Sequence, residues 1–261
     1  MGRRLGQHFL HDPRILDRIV EALEPRPTDS VLEIGPGEGT LTRRLLGRVA
    51  RVVALERDPA LVAALAASAE PGLTVAAADA LECAWDEVMA AHGGPGSFKV
   101  LGNIPYYITS PLIDRALRYP QVALIVFLVQ REVADRLAAE PGSKAYGALS
   151  VGVQAYAEVE RLFTVRAGSF RPPPQVESAV VRMRRRTVPL VGEGRRAAFR
   201  EFVIALFGQR RKQLGRSVRS IVELDAESTG RVLRATGLDP TRRVETLTPQ
   251  QLAQLFRAVV R

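Results

Sequence analysis

Cysteine is nearly absent from this chain of 261 residues: Cys83 stands alone, which excludes an internal disulfide. Histidine is almost as scarce. His8, His11 and His92 have no metal-ligand spacing with Cys83 or with one another, so no metal is expected. No apolar run approaches the roughly 20 residues that a membrane span needs. The N-terminal MGRRLGQHFL also lacks the apolar stretch of a signal peptide, so the chain reads as cytoplasmic and free of membrane. Lysine is rare as well, since 34 of the 37 basic residues are arginine.

What is present defines a globular protein. An apolar content of 46% excludes disorder, and the length suffices for one large domain with a core plus a smaller second one. The net charge of +9 points to a polyanionic partner, although arginine bias alone fits genome composition or a salt-bridged surface equally well. Distribution says more. Residues 188–261 carry 14 basic and 7 acidic side chains, which is +7 of the chain's +9.

VLEIGPGEGTLT, residues 31–42, organises the rest. Val31, Leu32 and Ile34 form a short apolar strand, and Gly35, Gly37 and Gly39 open the turn into a helix. Unpaired amides at a helix start favour a nucleotide-like ligand. A dinucleotide fingerprint would place its third glycine at position 40, where Thr40 stands, so hydride chemistry is disfavoured. Glu33, Gly35, Gly37 and Gly39 together resemble the first motif of doubly wound methyltransferases that use S-adenosylmethionine; an ordinary glycine-rich loop is the bland alternative.

Three further strands end in polar residues. RVVALE ends at Glu56, 21 residues beyond Gly35, where a carboxylate can accept both ribose hydroxyls and the adjacent Asp58 can cap the next helix. LTVAAAD ends at Asp79, which reads equally as a helix cap. Phe98–Leu101 is a fourth strand, followed by Asn103, Ile104, Pro105 and Tyr106. An exocyclic amine is a poor nucleophile because its lone pair is delocalised into the ring. Acceptors aimed at its hydrogens localise that pair and stabilise the cationic transition state. Asn103 offers a side-chain oxygen, Pro105 fixes the direction of the Ile104 carbonyl, and Tyr106 offers a face for stacking. Taken alone, NIPY is also a plain turn.

TSPLIDRALRYP reads as a helix, QVALIVFLV as a central strand and REVADRLAAEPG as a helix. Residues 143–165 alternate small and apolar residues in strand fashion, and SAVVRMRR is another strand with no helix between, which suggests an antiparallel end to the sheet. The intervening SFRPPPQVES loop is stiffened by prolines and carries Phe170, suited to flank a base turned out of its helix or to pack on the core. VPLVGEG marks a boundary to C-terminal helices. There Arg210, Arg211, Lys212, Arg216 and Arg219 put charge on one side of a helix, either as a solvated face or as a phosphate-binding one.

GQHFL, the glycine motif, GNIPY, LVQREVADRL, YGALSV, the F-x-P-P-P loop and VESAVV, in this order, are similar to the ribosomal RNA adenine dimethyltransferase family. The resemblance implies an α/β chain with a Rossmann-like class I methyltransferase domain at 1–188, its mostly parallel doubly wound sheet ending antiparallel, and a small all-helical RNA-binding domain at 189–261. It implies S-adenosylmethionine as cofactor, contacted by Gly35, Glu56, Asp79 and Asn103 with Gly37 and Gly39 in the turn and His8 and Leu10 at the edge. Asn103, Ile104, Pro105 and Tyr106 would serve the acceptor amine, with Phe170 beside the base. The implied act is two methyl transfers to each of two adjacent adenosines near the 3′ end of small-subunit ribosomal RNA, with the assembling subunit as partner and the protein a monomer. His8 departs from the family's usual Asn. Large-subunit RNA or DNA adenine methylation, or a ribosome-assembly role mainly by binding, are the alternatives.

Overall fold

A computed structural model describes residues 8–260; Gly6 and Gln7 of the GQHFL motif lie outside the described residues. Short apolar runs alternate with helices along the first half, which is the pattern of a parallel sheet. After β1 (Phe9–Leu10) and α1 (Pro13–Ala22) come β2 (Ser30–Ile34), α2 (Thr42–Leu45), β3 (Arg51–Glu56), α3 (Pro59–Ala66) and β4 (Leu73–Ala77). α4 (Trp85–His92), β5 (Phe98–Asn103), α5 (Thr109–Ala116), β6 (Val122–Gln130) and α6 (Arg131–Leu137) continue the pattern. They are followed by α7 (Ala148–Gln154), β7 (Ala157–Val165), β8 (Phe170–Arg171) and β9 (Ser178–Arg185). The chain then runs through α8 (Arg196–Gly208), α9 (Leu214–Val222), α10 (Ala226–Ala235) and α11 (Pro249–Val259).

One sheet has the order β4-β3-β2-β5-β6-β9-β7. β2 runs parallel to both β3 and β5, β5 is parallel to β6, and β9 is antiparallel to β6. The chain steps outward from β2 to β4 and then returns to β5 on the other side of β2. Strand order therefore reverses beside β2, and ligands of such sheets bind at the carboxyl ends of the strands there.

α1 covers part of this sheet. Asp12 caps it, accepting from Arg14 N at 3.0 Å and Ile15 N at 3.4 Å, with Pro13 at the first helical position. Such a cap is worth about 1 kcal/mol. Leu16, Ile19, Val20 and Leu23 then join Val31, Leu101, Val126 and Val180 in the core. A separate two-stranded pair joins β1 to β8, with Leu10 opposite Phe170 and Phe9 opposite Arg171.

Two compact units divide the chain: the residues up to Ala134 with Val159–Arg185, and Asp135–Glu158 with the residues from Arg186 onward. The division differs from 1–188 and 189–261 chiefly because Asp135–Glu158 group with the C-terminal helices. The strand expected across residues 143–165 is corrected accordingly: only Ala157–Val165 is a strand, and Ala148–Gln154 is helical. Local preference of small and β-branched residues yields here to tertiary bonding. Tyr146 donates its hydroxyl to Leu247 O at 2.8 Å, Ser150 Oγ donates to Arg136 O at 2.6 Å, and Gln154 Nε2 donates to Leu137 O and Ala139 O at 2.9 Å each. Within the same unit the Phe256 ring packs edge-on to Phe199, their centroids 5.3 Å apart.

Glu33 shapes the turn between β2 and α2. It is 1% exposed, and Thr42 Oγ1 at the start of α2 donates to its Oε2 at 2.6 Å. Burial pushes the Glu33 carboxyl up to about 7, against the lowering effect of the Thr42 hydrogen bond. The folded protein thus retains a proton that the unfolded chain releases near its ordinary value of 4.5. The associated stability is complete below about 4.5 and is lost as the pH rises through about 7. Glu33→Gln removes that dependence, so the variant should gain a few kcal/mol on the wild type between about pH 5 and pH 8. Thermal unfolding of both proteins at the two pH values checks this; a difference that does not change with pH would contradict a protonated Glu33.

Candidate active site

The carboxyl ends of β2, β3 and β5 and the turn after β4 wall a cavity in the sheet-bearing unit. Gly35, Gly37, Glu56 and Asp79 line one part of it, and Asn103, Ile104, Pro105 and Tyr106 another, with His8, Leu10 and Phe170 completing the wall. Gly39 is not in the wall. A Cβ there would stand 2.7 Å from Leu65 Cδ1, so this glycine permits close packing of the turn on α3. Gly37 has φ +57°, and an added Cβ would lie 3.0 Å from the Phe9 ring, which packs over the turn.

Glu56 is held by backbone. Its Oε1 accepts from Arg57 N at 2.8 Å and Asp58 N at 2.9 Å, and its Oε2 accepts from Gly37 N at 3.2 Å. With only 5% exposure, the carboxylate depends on these donors to offset its desolvation. Asp58 caps α3 through Ala60 N at 2.9 Å, as its position ahead of Pro59 predicts. Occupation of Oε1 by two amides leaves Oε2 as the oxygen with room for a hydroxyl, fewer open positions than the sequence suggests. Asp79 lies two residues beyond the end of β4. Its Oδ1 accepts from Leu81 N at 2.8 Å and its Oδ2 from Arg57 Nη1 at 3.1 Å.

At the other end, Asn103 Nδ2 donates to His8 O at 2.9 Å. An amide whose nitrogen is committed to a carbonyl presents its Oδ1 as the remaining acceptor. Ile104 N donates to Leu128 O at 3.1 Å, which fixes the peptide that leads into Pro105. Gly102 allows this geometry: a Cβ would sit 2.6 Å from Ile104 Cδ1 and 2.9 Å from Ile34 O. The Tyr106 hydroxyl is 2.9 Å from Ser178 Oγ, and its ring lies 6.1 Å from that of His8 at 30°. His8 Nδ1 donates to Pro172 O at 2.7 Å, so this residue braces Asn103 with its backbone and the proline loop with its ring. Phe170 borders the cavity from within the core at 3% exposure, whereas Tyr107 is 60% exposed at its wall.

The basic cluster lies in the helical unit, and its expected place on one side of a single helix is corrected. α8 ends at Gly208 and α9 begins at Leu214, so Arg210, Arg211 and Lys212 sit in the break while Arg216 and Arg219 lie on α9. Arg210 is engaged internally, by an ion pair with Glu245 and by donation from its Nη2 to Ser143 O at 3.3 Å. Arg211, Lys212, Arg216 and Arg219 are all exposed. Among the described residues no group of three or more His, Cys, Asp or Glu could hold a metal ion, and no helix is long and apolar enough to cross a membrane.

Several functional neighbours escape a reading of the sequence. Phe9, Gly102, Ser178 and Arg57 all shape the cavity or its polar atoms; Phe9, Gly102 and Ser178 stand inside the motifs GQHFL, GNIPY and VESAVV, and Arg57 in none. Ser178 and Arg57 gain their roles through partners 72 and 22 residues away.

A family profile described as ribosomal RNA adenine dimethylase matches residues 2–260. Ribosomal RNA small subunit methyltransferase A of Acidithiobacillus ferrooxidans is 41% identical over 260 residues, 99% of this chain and 94% of its own. The protein of that name from Myxococcus xanthus is 41% identical over 256 residues, 97% of this chain and 89% of its own. Among solved structures, the 23S rRNA methyltransferase ErmE superposes with a TM-score of 0.76 at 30% identity, over 97% of this chain and 100% of its own. A dimethyladenosine transferase from Plasmodium falciparum shares the fold, with a TM-score of 0.84 and 24% identity over 96% of each chain. With a match that spans almost its whole length and a mostly parallel sheet that opens a cavity at its strand ends, the chain belongs to the ribosomal RNA adenine dimethylase family.

Proposed function

We propose that the protein transfers methyl groups from S-adenosylmethionine to the exocyclic amines of two adjacent adenosines near the 3′ end of small-subunit ribosomal RNA, acting in the cytoplasm on the assembling subunit. The observation that carries this reading is the cavity that Glu56 and Asp79 line in one part and Asn103, Ile104, Pro105 and Tyr106 in another. The choice of small-subunit RNA is supported by the names of relatives at 41% identity.

The residues fit such a cofactor. A Cβ on Gly35 would meet nothing within 4 Å, so the backbone is open to close approach at the turn. Glu56 retains Oε2 for a ribose hydroxyl, and Asp79 supplies an acceptor for an adenine amine. When bound, S-adenosylmethionine supplies a methyl group on a sulfonium, already a good leaving group. Asn103 Oδ1 and the Ile104 carbonyl accept the hydrogens of the target amine and favour it as it becomes cationic. Tyr106, its hydroxyl bonded to Ser178, holds a ring face against the base, a contact worth about 1 to 3 kcal/mol. No side-chain base is required, because the product ammonium loses its proton to water. With acceptors only, a monomethylated amine can return with its remaining hydrogen on either oxygen.

Nucleoside mass spectrometry after reaction with undermethylated small subunits should find dimethyladenosine at two adjacent positions. Monomethyladenosine alone, or methylation confined to large-subunit RNA, the substrate class in the name of the 30% identical ErmE, would overturn the assignment.

Asn103→Ala should keep RNA affinity within about threefold while single-turnover methyl transfer falls about 100-fold, the usual scale for loss of one transition-state hydrogen bond. A rate within about twofold of wild type, roughly 0.4 kcal/mol, would exclude the acceptor role.

Arg211, Lys212, Arg216 and Arg219 are proposed to bind phosphate, whereas Arg210 serves the fold through Glu245. Replacing the four exposed residues by alanine should flatten the slope of log affinity against log salt by about 3 to 4, near 0.7 to 0.9 for each phosphate that is no longer neutralised. An unchanged slope in RNA-binding titrations would make the cluster a solvated surface.

A further inference from the structure

The two carboxylates at the nucleotide end are held in different ways. Among the described residues, all three donors to Glu56 are backbone amides. None can leave without remaking the chain around it. Asp79 has a backbone donor, Leu81 N on Oδ1, and a side-chain donor, Arg57 Nη1 on Oδ2. The Arg57 side chain is 54% exposed and that of Asp79 23%, so the pair lies at the surface of the cavity and separates at small cost. Meanwhile the Arg57 backbone is fixed by its own N–H on Glu56 Oε1. The anchor is rigid and the arm is free.

We infer that Arg57 is a displaceable occupant of the Asp79 acceptor position and thereby a positioning and selectivity residue for the adenine end of the cavity. This inference rests on the reading above, in which Asp79 accepts an adenine amine. An amine and the guanidinium both bring N–H donors, and they compete for the same Oδ2. A purine with an amine restores the bond that Arg57 gives up. A purine with a carbonyl in that place would set acceptor against acceptor, and Arg57 would keep its partner. The ion pair therefore acts as a threshold that a donor-bearing ring crosses at small cost and an acceptor-bearing ring does not. Asp79, through its hydrogen bond, is the main influence that favours the charged guanidinium.

Calorimetric titration of S-adenosylhomocysteine into the full-length wild type, Arg57→Met, Asp79→Ala and the double variant tests this. Met keeps an unbranched stem and removes the charge. Arg57→Met should bind about two- to fivefold tighter, the scale of an exposed pair, because Oδ2 no longer has to be vacated. Asp79→Ala should bind about tenfold or more weakly, and Arg57→Met should have no effect in that background. Unchanged or weaker binding by Arg57→Met, with Asp79→Ala weakened, overturns the inference and leaves the adenine assignment standing. Unchanged binding by Asp79→Ala overturns that assignment and the inference with it.

Discussion

Parallel pairing of β2 with β3 on one side and β5 on the other is the constraint on which the molecule depends. Parallel neighbours cannot be joined by a hairpin, so each needs a crossover, and every carboxyl end then emerges on the same edge. Glu56, the glycine turn and Asn103 come together for that reason alone, although they are scattered over 69 positions from Gly35 to Asn103. The antiparallel arrival of β9 beside β6 adds to the same unit a strand whose first residue, Ser178, reaches Tyr106.

Three of the carboxyl groups that line the cavity, those of Glu33, Glu56 and Asp79, stand at three levels of solvation. Glu33 is fully enclosed and holds its proton well above the usual range, bonded to the Thr42 hydroxyl. Glu56 is enclosed but surrounded by amides, and Asp79 is partly wet and partnered by a cation. A gradient of this kind suits a ligand that is polar throughout but charged at one end. In the proposed reaction, positioning of fixed dipoles against a reactive sulfonium takes the place of acid–base machinery.

Much of this is legible in the residues. The glycine spacing, Glu56, Asp79 and NIPY point to the cavity because strand ends and turn residues carry local signatures, and Asp58 announces its cap through Pro59. The helix at Ala148–Gln154 is not legible. Its sequence ALSVGVQ has strand character, and its helicity comes from side-chain bonds to residues before it and from burial of Val151 and Val153. The break between α8 and α9 is hidden likewise, since Leu214 N is drawn to Arg242 O at 2.7 Å. Arg210 reads as one of several free cations until Glu245, 35 residues later, claims it.

The junction of β1 with β8 spans most of the catalytic unit: His8 Nδ1 and Pro172 O are 164 residues apart in sequence. During synthesis, residues 8–10 leave the ribosome long before their partner strand exists. At about 5 to 20 residues per second, the delay is roughly 8 to 33 s. Late in that interval the glycine turn, Glu56 and Asn103 can be in place while β8, the partner strand of β1, is still missing. The nascent chain can thus pair its parallel strands, β2 to β6, before β8 seats β1 against the cavity.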